Sequence, residues 1–476
     1  MLLAVRREAW SAALLAVDWE PYVSTLPSGP VDRDLVFIPT RPLTLFMRVE
    51  ARSSVLLLSA TVIALAWANS PWLVSYEVLW TTNLSVRVGE AELAKDLRHW
   101  VNDGLMTLFF LVMGLELTRE VKLYERRHWS AAIVPTAGAL GGLIVPGLVY
   151  LAFNAAGPAA GGWAIVAATD LALVLGVLAL VGPRCPPQLR AVVLMVALVD
   201  GLAVVALVAV LYPELVNLIA LAVVLELFAV IAVLRLLRVL RTLAYLVAGV
   251  ALWVAMSVSG LHPAIAGVVL GVVITTFPPL PIGAAFDAGL ARLLERDQSP
   301  VTIGGADRAA PPIERLLERL HPWSSYLIVP LFALANAGVT LDRDLLARAV
   351  GSPITLGVIM GLVAGKLLGL LGATQLAARS RLGTLPRLVT YRQLAGAAAT
   401  SGIGFTLALF LTDLTLVDRL AQDEAKIGIL VASATAATLG WLLFTVPGSP
   451  DRGHRPPAGG NETGGGAAAA GERGPD

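Results

Sequence analysis

The chain is short of charge, of lysine and of cysteine. Charged residues make up 14% of its 476 positions, against about 25% in a typical soluble domain. That is too little polar side chain to clothe a water-facing surface of this size. The single cysteine, Cys185, excludes an internal disulfide and a cysteine-based metal site. The sequence carries no G-x-x-x-x-G-K-[ST] loop and no His/Cys cluster, so nothing supports ATP drive, a redox centre, a resident metal or another cofactor. It is not read as an enzyme, and no nucleic-acid partner is expected. Only four lysines occur, Lys95, Lys122, Lys366 and Lys426, the other basic residues being arginine. A lysine inside an apolar run therefore stands out. An apolar stretch near the N-terminus is followed by Asp18, Trp19, Glu20 and Pro21 without a small-residue cleavage site, so no cleaved signal peptide is expected.

What the chain has is hydrophobic length: 57% of its residues are hydrophobic. Runs long enough to cross about 30 Å of hydrocarbon at about 1.5 Å per residue fall near 53–69, 101–118, 130–152, 162–181, 189–211, 213–234, 240–258, 261–277, 323–338, 353–373, 391–412 and 427–446. The expectation is an all-α polytopic membrane protein of twelve transmembrane helices. A transmembrane domain over 49–447 would lie between an N-terminal extension, 1–48, and a Gly/Pro/Ala-rich disordered tail, 448–476.

Short basic connections set the orientation. Arg119, Lys122, Arg126 and Arg127 occupy one; Arg184 and Arg190, Arg235, Arg238 and Arg241, and Arg379, Arg381, Arg387 and Arg392 occupy others. They alternate with connections that lack Lys and Arg or are acidic. The basic set belongs inside, and an even number of spans then leaves both termini in the cytoplasm, in a plasma-membrane protein surrounded by lipid. The long connection 278–322 falls on the same side. Its end, Pro311 to Leu320, places Ile313, Leu316, Leu317 and Leu320 at helical spacing, as in a surface helix.

Four ionisable residues lie within the runs: Asp170, Asp200, Glu226 and Lys366. Such a group near mid-bilayer costs several kcal/mol unless it is paired or faces water. A structural role would be a carboxylate capping broken backbone or a Lys–Asp pair holding helices together. Glu226 reads best that way, or as a snorkelling or lipid-facing side chain. The other three read as an acid pair and a base on an ion path. Two runs share a backbone signal: Ala167-Ala168-Thr169-Asp170 and Ala398-Ala399-Thr400-Ser401-Gly402-Ile403-Gly404 are both glycine-flanked and lie in corresponding halves. Discontinuous spans so placed point to the binding site of an inverted-repeat secondary transporter, although small residues also serve tight helix packing. A carboxylate exposed alternately to each side would bind a proton or a small cation, with a buried lysine competing for it. Exchange then becomes obligatory.

Several motifs are more specific. They include Ala64-Leu65-Ala66-Trp67-Ala68-Asn69-Ser70-Pro71, Asn102-Asp103-Gly104-Leu105-Met106, Gly114-Leu115-Glu116-Leu117-Thr118-Arg119-Glu120, His321-Pro322-Trp323, Phe332-Ala333-Leu334-Ala335-Asn336-Ala337-Gly338, Gly365-Lys366 and Gly402-Ile403-Gly404-Phe405-Thr406. On these the chain resembles the bacterial NhaA family of sodium/proton antiporters over roughly 46–447, a family that is itself an example of inverted-repeat architecture. The resemblance implies an interface bundle and a core bundle with two crossed, partly unwound spans. Asp170 and Thr169 match the polar residues at that crossing, with Thr400, Ser401, Gly402 and Gly404 on the second unwound span. Lys366 matches the family's buried lysine, and Asp200 the first member of an aspartate pair beside it. Glu116 and Glu120 match acids of the cytoplasmic mouth used in pH response. The implied activity is exchange of Na+ or Li+ for protons, often by a homodimer.

The sequence departs from its family at Gly201, where the second aspartate of that pair is expected. The unbroken apolar run to Tyr212 fixes the register. Three readings stay open: an antiporter that works through Asp200 with help from Asp170 and Thr169, a transporter of altered substrate, or an exchange-deficient homologue with a regulatory or structural role.

Overall fold

A computed structural model describes residues 41–88, 91–125, 130–211, 217–237, 242–276, 312–380 and 389–446. The tail 448–476, residues 1–40 and most of the connection 278–322 lie outside the described residues, as do Arg126, Arg127, Arg238, Arg241, Arg381 and Arg387.

Apolar runs become helices here because a segment removed from water must satisfy every backbone group within itself. Helix α1 (Arg41–Ala68) begins inside the stretch read as an extension and ends at the Asn69-Ser70-Pro71 stop. The Asn69 amide closes that end by donating to the Leu65 and Val339 carbonyls, both at 2.8 Å. Three elements that the periodicity does not announce follow or lie further on. They are α2 (Leu73–Thr81), an antiparallel hairpin of β1 (Asn83–Val88) and β2 (Ala91–Asp96) with Asn83 opposite Asp96, and a short helix near residue 343. Their six- to nine-residue lengths fall below what a span-length window detects.

A wide turn, Trp100–Leu105, leads into α3 (Met106–Glu125). Then come α4 (Ser130–Asn154), a 3-10 segment Pro158–Ala164, α5 (Leu171–Val181), α6 (Pro187–Leu211), α7 (Leu218–Leu236), α8 (Thr242–Ser259) and α9 (Ala264–Thr276). The second half holds α10 (Pro312–Trp323), α11 (Val329–Asn336), α12 (Arg343–Gly351), α13 (Pro353–Met360), α14 (Lys366–Arg379), α15 (Tyr391–Thr400), α16 (Phe405–Thr415) and α17 (Arg419–Thr445). The helix expected to end at Leu320 instead runs on without a break through a wide turn, Ser324–Ile328, into α11. Pro330 lacks an N–H, and widening the preceding turn accommodates its ring.

Among the described residues, six helices are long and apolar enough to cross a membrane, or seven if the pair α15 and α16, bent by 45°, forms one broken span. Glycines set how closely these helices pack. A Cβ placed on Gly369 of α14 would strike the Gly141 carbonyl of α4, and one on Gly141 would strike the Gly369 carbonyl. The same holds for Gly267 of α9 against Thr107 beside α3's start. Without a hydrophobic drive between helices in lipid, such backbone approach is what holds spans together. One large core joins α1 to α6, α11 and α13 to α17, a smaller one built on α7 to α9 holds Val224, Ile231, Leu252 and Met256, and α12 packs Leu345 and Ala349 against Val339 and Ile427.

The α4–α14 contact gives a direct test. Gly369→Val is expected to lower the thermal midpoint in detergent by the equivalent of about 1–3 kcal/mol or more. Gly372→Val, at a position with nothing within 4 Å, leaves the midpoint near wild type. Equal midpoints for the two variants would refute the contact.

Candidate functional site

Two helices stop and restart in the centre of the larger core. The segment that enters through Pro158–Ala164 runs without helical structure from Ala168 to Asp170 before α5 begins. The segment that enters as α15 ends at Thr400 and resumes as α16 at Phe405. The interruptions touch, with the Asp170 amide donating to the Ile403 carbonyl at 2.6 Å. Small residues permit this: a Cβ on Gly404 would lie 3.2 Å from the Ala168 carbonyl oxygen, and one on Gly402 would strike the Leu362 carbonyl.

Asp170 caps both restarted helices. Its Oδ1 accepts from the Leu173 N–H at 3.0 Å, and its Oδ2 accepts from the Thr406 N–H at 2.7 Å and from the Thr406 hydroxyl. Each helix start carries unsatisfied N–H groups and the positive end of a dipole. One carboxylate, 2% exposed, answers both. The opposite polarity is met by Lys366, which follows a wide turn, Gly361–Gly365, on α14. Its ammonium donates to the Ala167 carbonyl and, at 2.6 Å, to Asp200 Oδ2. Lys366 and Asp200 are 0% and 1% exposed, and such a pair persists in a core only with hydrogen bonds around it.

Those bonds are incomplete at Asp200. Oδ1 is buried and has no hydrogen-bond partner among the described residues. Thr169 Oγ1 lies 3.2 Å from Oδ2 and 3.0 Å from the Ser401 carbonyl, and its one hydrogen serves one acceptor at a time. The Thr400 and Ser401 hydroxyls turn back to the Ala397 carbonyl, at 2.8 and 3.0 Å, so this span offers backbone carbonyls to the crossing. Gly201 follows Asp200 on α6, but the space beside it is filled: a Cβ there would lie 2.9 Å from Leu407 Cδ1 and 3.0 Å from Met113 Cε. Two apolar side chains stand where a second carboxylate would project.

The structure thus brings Asp170, Thr169, Asp200, Lys366 and the Thr400–Gly404 break together. The profile of the Na+/H+ antiporter 1 family matches residues 44–444. The chain belongs to that family. Its similarity to Na(+)/H(+) antiporter NhaA 3 of Frankia alni reaches 44% identity over 407 residues, covering 85% of this chain and 88% of that protein. To NhaA 1 of Salinispora arenicola it is 45% identical over 407 residues, 85% of this chain and 62% of the relative. To NhaA 1 of Mycolicibacterium vanbaalenii it is 40% identical over 400 residues, 83% and 64%. The chain therefore spans less than two thirds of the length of the latter two. As a member of this antiporter family it is a multi-pass membrane protein and a transporter rather than an enzyme.

The remaining expected residues lie elsewhere. Glu116 is fully buried on α3 and paired with Arg119; Glu120 is on the same helix, its side chain outside the described residues. Glu226 is exposed on α7 and takes no part in the crossing. Reading the sequence for mid-span charge passed over Asp103, paired with Lys95 and 3.4 Å from His262, and over Glu50, bound to His321. Both acids sit near the ends of their runs, where a charge raises no alarm.

The double cap predicts an asymmetry between two variants. Asp170→Ala strands the Leu173 and Thr406 N–H groups in the core, at about 1–3 kcal/mol for each unsatisfied group, and should lower the detergent melting midpoint strongly. Asp170→Asn keeps one of the two acceptor oxygens, enough for one helix start, and should melt between Asp170→Ala and the wild type. Wild-type melting of Asp170→Ala would rule the double cap out.

Proposed function

We propose that this antiporter-family member exchanges Na+ or Li+ for protons across the plasma membrane through Asp200, serving sodium and pH homeostasis. The observation that carries the reading is the buried Asp200–Lys366 pair at the crossing of two broken helices, with Asp200 Oδ1 left without a partner. A free carboxylate oxygen in a core is a site awaiting a proton or a cation. Competition follows from the geometry. A cation drawn to Asp200 displaces the ammonium from Oδ2, and Lys366 gives up one proton while a remaining N–H keeps the Ala167 carbonyl; a proton arriving from the other side returns Lys366 to the ammonium, which re-pairs with Asp200 and releases the cation. Thr169 and the Ser401 carbonyl supply further oxygen nearby. Asp170 is engaged in capping and contributes negative potential.

The architecture proposed with this is the inverted-repeat fold. The four shorter apolar helices and the Pro312–Asn336 segment join the seven longer spans to make twelve, over 49–447, between a cytoplasmic extension and a cytoplasmic tail. Arg184, on the connection between α5 and α6, and Arg190, in the first turn of α6, support the inward placement of that face. Glu116 and Glu120 are proposed as pH-response acids, and a homodimer in lipid as the working form, on the strength of the family resemblance. Membership of a family whose relatives carry the name Na(+)/H(+) antiporter favours exchange over an altered substrate or a purely regulatory role, despite Gly201.

In inverted vesicles holding an acid-inside pH gradient, addition of Na+ or Li+ should dissipate the gradient, and Asp200→Asn should abolish the response. Exchange surviving in Asp200→Asn would displace the site. A response seen with Gly201→Asp but not with the wild type would establish an exchange-deficient homologue, and one seen with K+ alone an altered substrate.

A further inference from the structure

A second buried carboxylate lines a cleft that reaches the crossing. Glu50 on α1 is 7% exposed and is held from across the fold: its Oε1 lies 2.8 Å from His321 Nε2 and accepts from the Ser325 hydroxyl at 2.6 Å. Its Oε2 has, among the described residues, only a 3.5 Å approach from Ser53 Oγ, whose hydroxyl is better placed toward the Glu50 carbonyl at 2.9 Å. The carboxylate is fixed through one oxygen and leaves the other available. The cleft is lined by Glu50 and Ser324, by Asp170 and Thr406, and by Met113 and Leu407. The last two are the side chains packed beside Gly201, so the cleft connects Glu50 with the region of the missing acid.

We propose that Glu50 is a cation-recruiting residue of the exchanger, the carboxylate that a monovalent cation meets between the N-terminal face of α1 and Asp200. The proposal rests on the exchange reading above and assigns a role that the crossing does not supply. A cation entering a narrow, largely apolar cleft must exchange water for protein oxygen. Asp170 is committed to three hydrogen bonds from Leu173 and Thr406, and Gly201 offers no side-chain oxygen. Glu50 is the cleft's remaining carboxylate among the described residues. Its charge also raises the local cation concentration, an effect that low-dielectric walls intensify.

The test is Na+-dependent gradient dissipation in inverted vesicles, which present the proposed cytoplasmic face outward. Glu50→Gln keeps the side-chain shape and an acceptor for Ser325 but removes the charge; it should raise the KM for Na+ about tenfold, the lower end of what electrostatic focusing supplies, with Vmax near wild type. Glu50→Asp, which retains a retracted charge, should give an intermediate KM. Ser325→Ala, which removes a hydrogen bond and no charge, should leave KM in place. A fall in Vmax or in protein abundance at unchanged KM makes Glu50 a packing residue and overturns the proposal. If Glu50→Gln does not fold, a wild-type KM in Glu50→Asp overturns it equally. Absence of exchange in the wild type is a different result: it removes the exchange reading, and this proposal with it.

Discussion

Hydrocarbon does not hydrogen-bond, and a helix broken inside it exposes backbone that must be satisfied locally. The whole centre of this protein depends on meeting that demand at one point. Two chain breaks meet where Asp170 can cap the starts of α5 and α16 together and where Lys366 can reach the Ala167 carbonyl. Buried charges that would be liabilities in intact spans become the means by which the spans can be broken. The crossing in turn fixes Thr169 and the Ser401 carbonyl beside Asp200, so the geometry of the Asp200 carboxylate follows from the backbone repair next to it.

This arrangement divides labour among the buried charges. Asp170 accepts from three donors and cannot leave them cheaply. Lys366 is shared, one bond to the backbone and one to Asp200. If the bond to Asp200 is lost, the Ala167 carbonyl keeps its partner. A site can change occupancy without unfolding only if its changeable bond is not the one that holds the chain, and Asp200 meets that condition. Gly201 bears on the same point. A deleted carboxylate that left its space open would leave a cavity in a core otherwise packed closely enough for Gly141 and Gly369 to meet backbone to backbone. Met113 and Leu407 occupy that space, so the surroundings are built for a single acid on this turn of α6.

The legible part of the site was the part whose chemistry is conspicuous in its local context. Asp170, Asp200 and Lys366 stand out because their neighbours are apolar, and the paired Ala-Ala-Thr runs announce two breaks because glycine and hydroxyl residues cluster there. Partners at long range could not be read in this way. Glu50 finds His321 at a separation of 271 residues and Asn102 finds Asn336 at 234, pairings that no window along the chain contains. The hairpin and α2 escaped for a different reason, being too short to carry a span signal. The filling of the space beside Gly201 escaped because Met113 and Leu407 are ordinary apolar residues in ordinary apolar runs. The sequence shows which oxygen is missing; only the packing shows what replaced it.

The wide helical turns connect these observations. Trp100–Leu105 holds Asn102 and Asp103, Ser324–Ile328 holds Ser325, and Gly361–Gly365 leads directly into Lys366. A wide turn inserts an extra residue into the helical repeat and rotates everything after it relative to the regular 3.6-residue phase. Each of the three lies where a polar group makes a contact across the fold: Asn102 to Asn336, Ser325 to Glu50, and Lys366 to Asp200. In a regular helix the same residues would be directed to other faces, and toward lipid a lysine or an aspartate would be severely penalised. The chain has few charges. Local changes in helical phase bring those it has inside the protein, against partners that a regular helix would not let them reach.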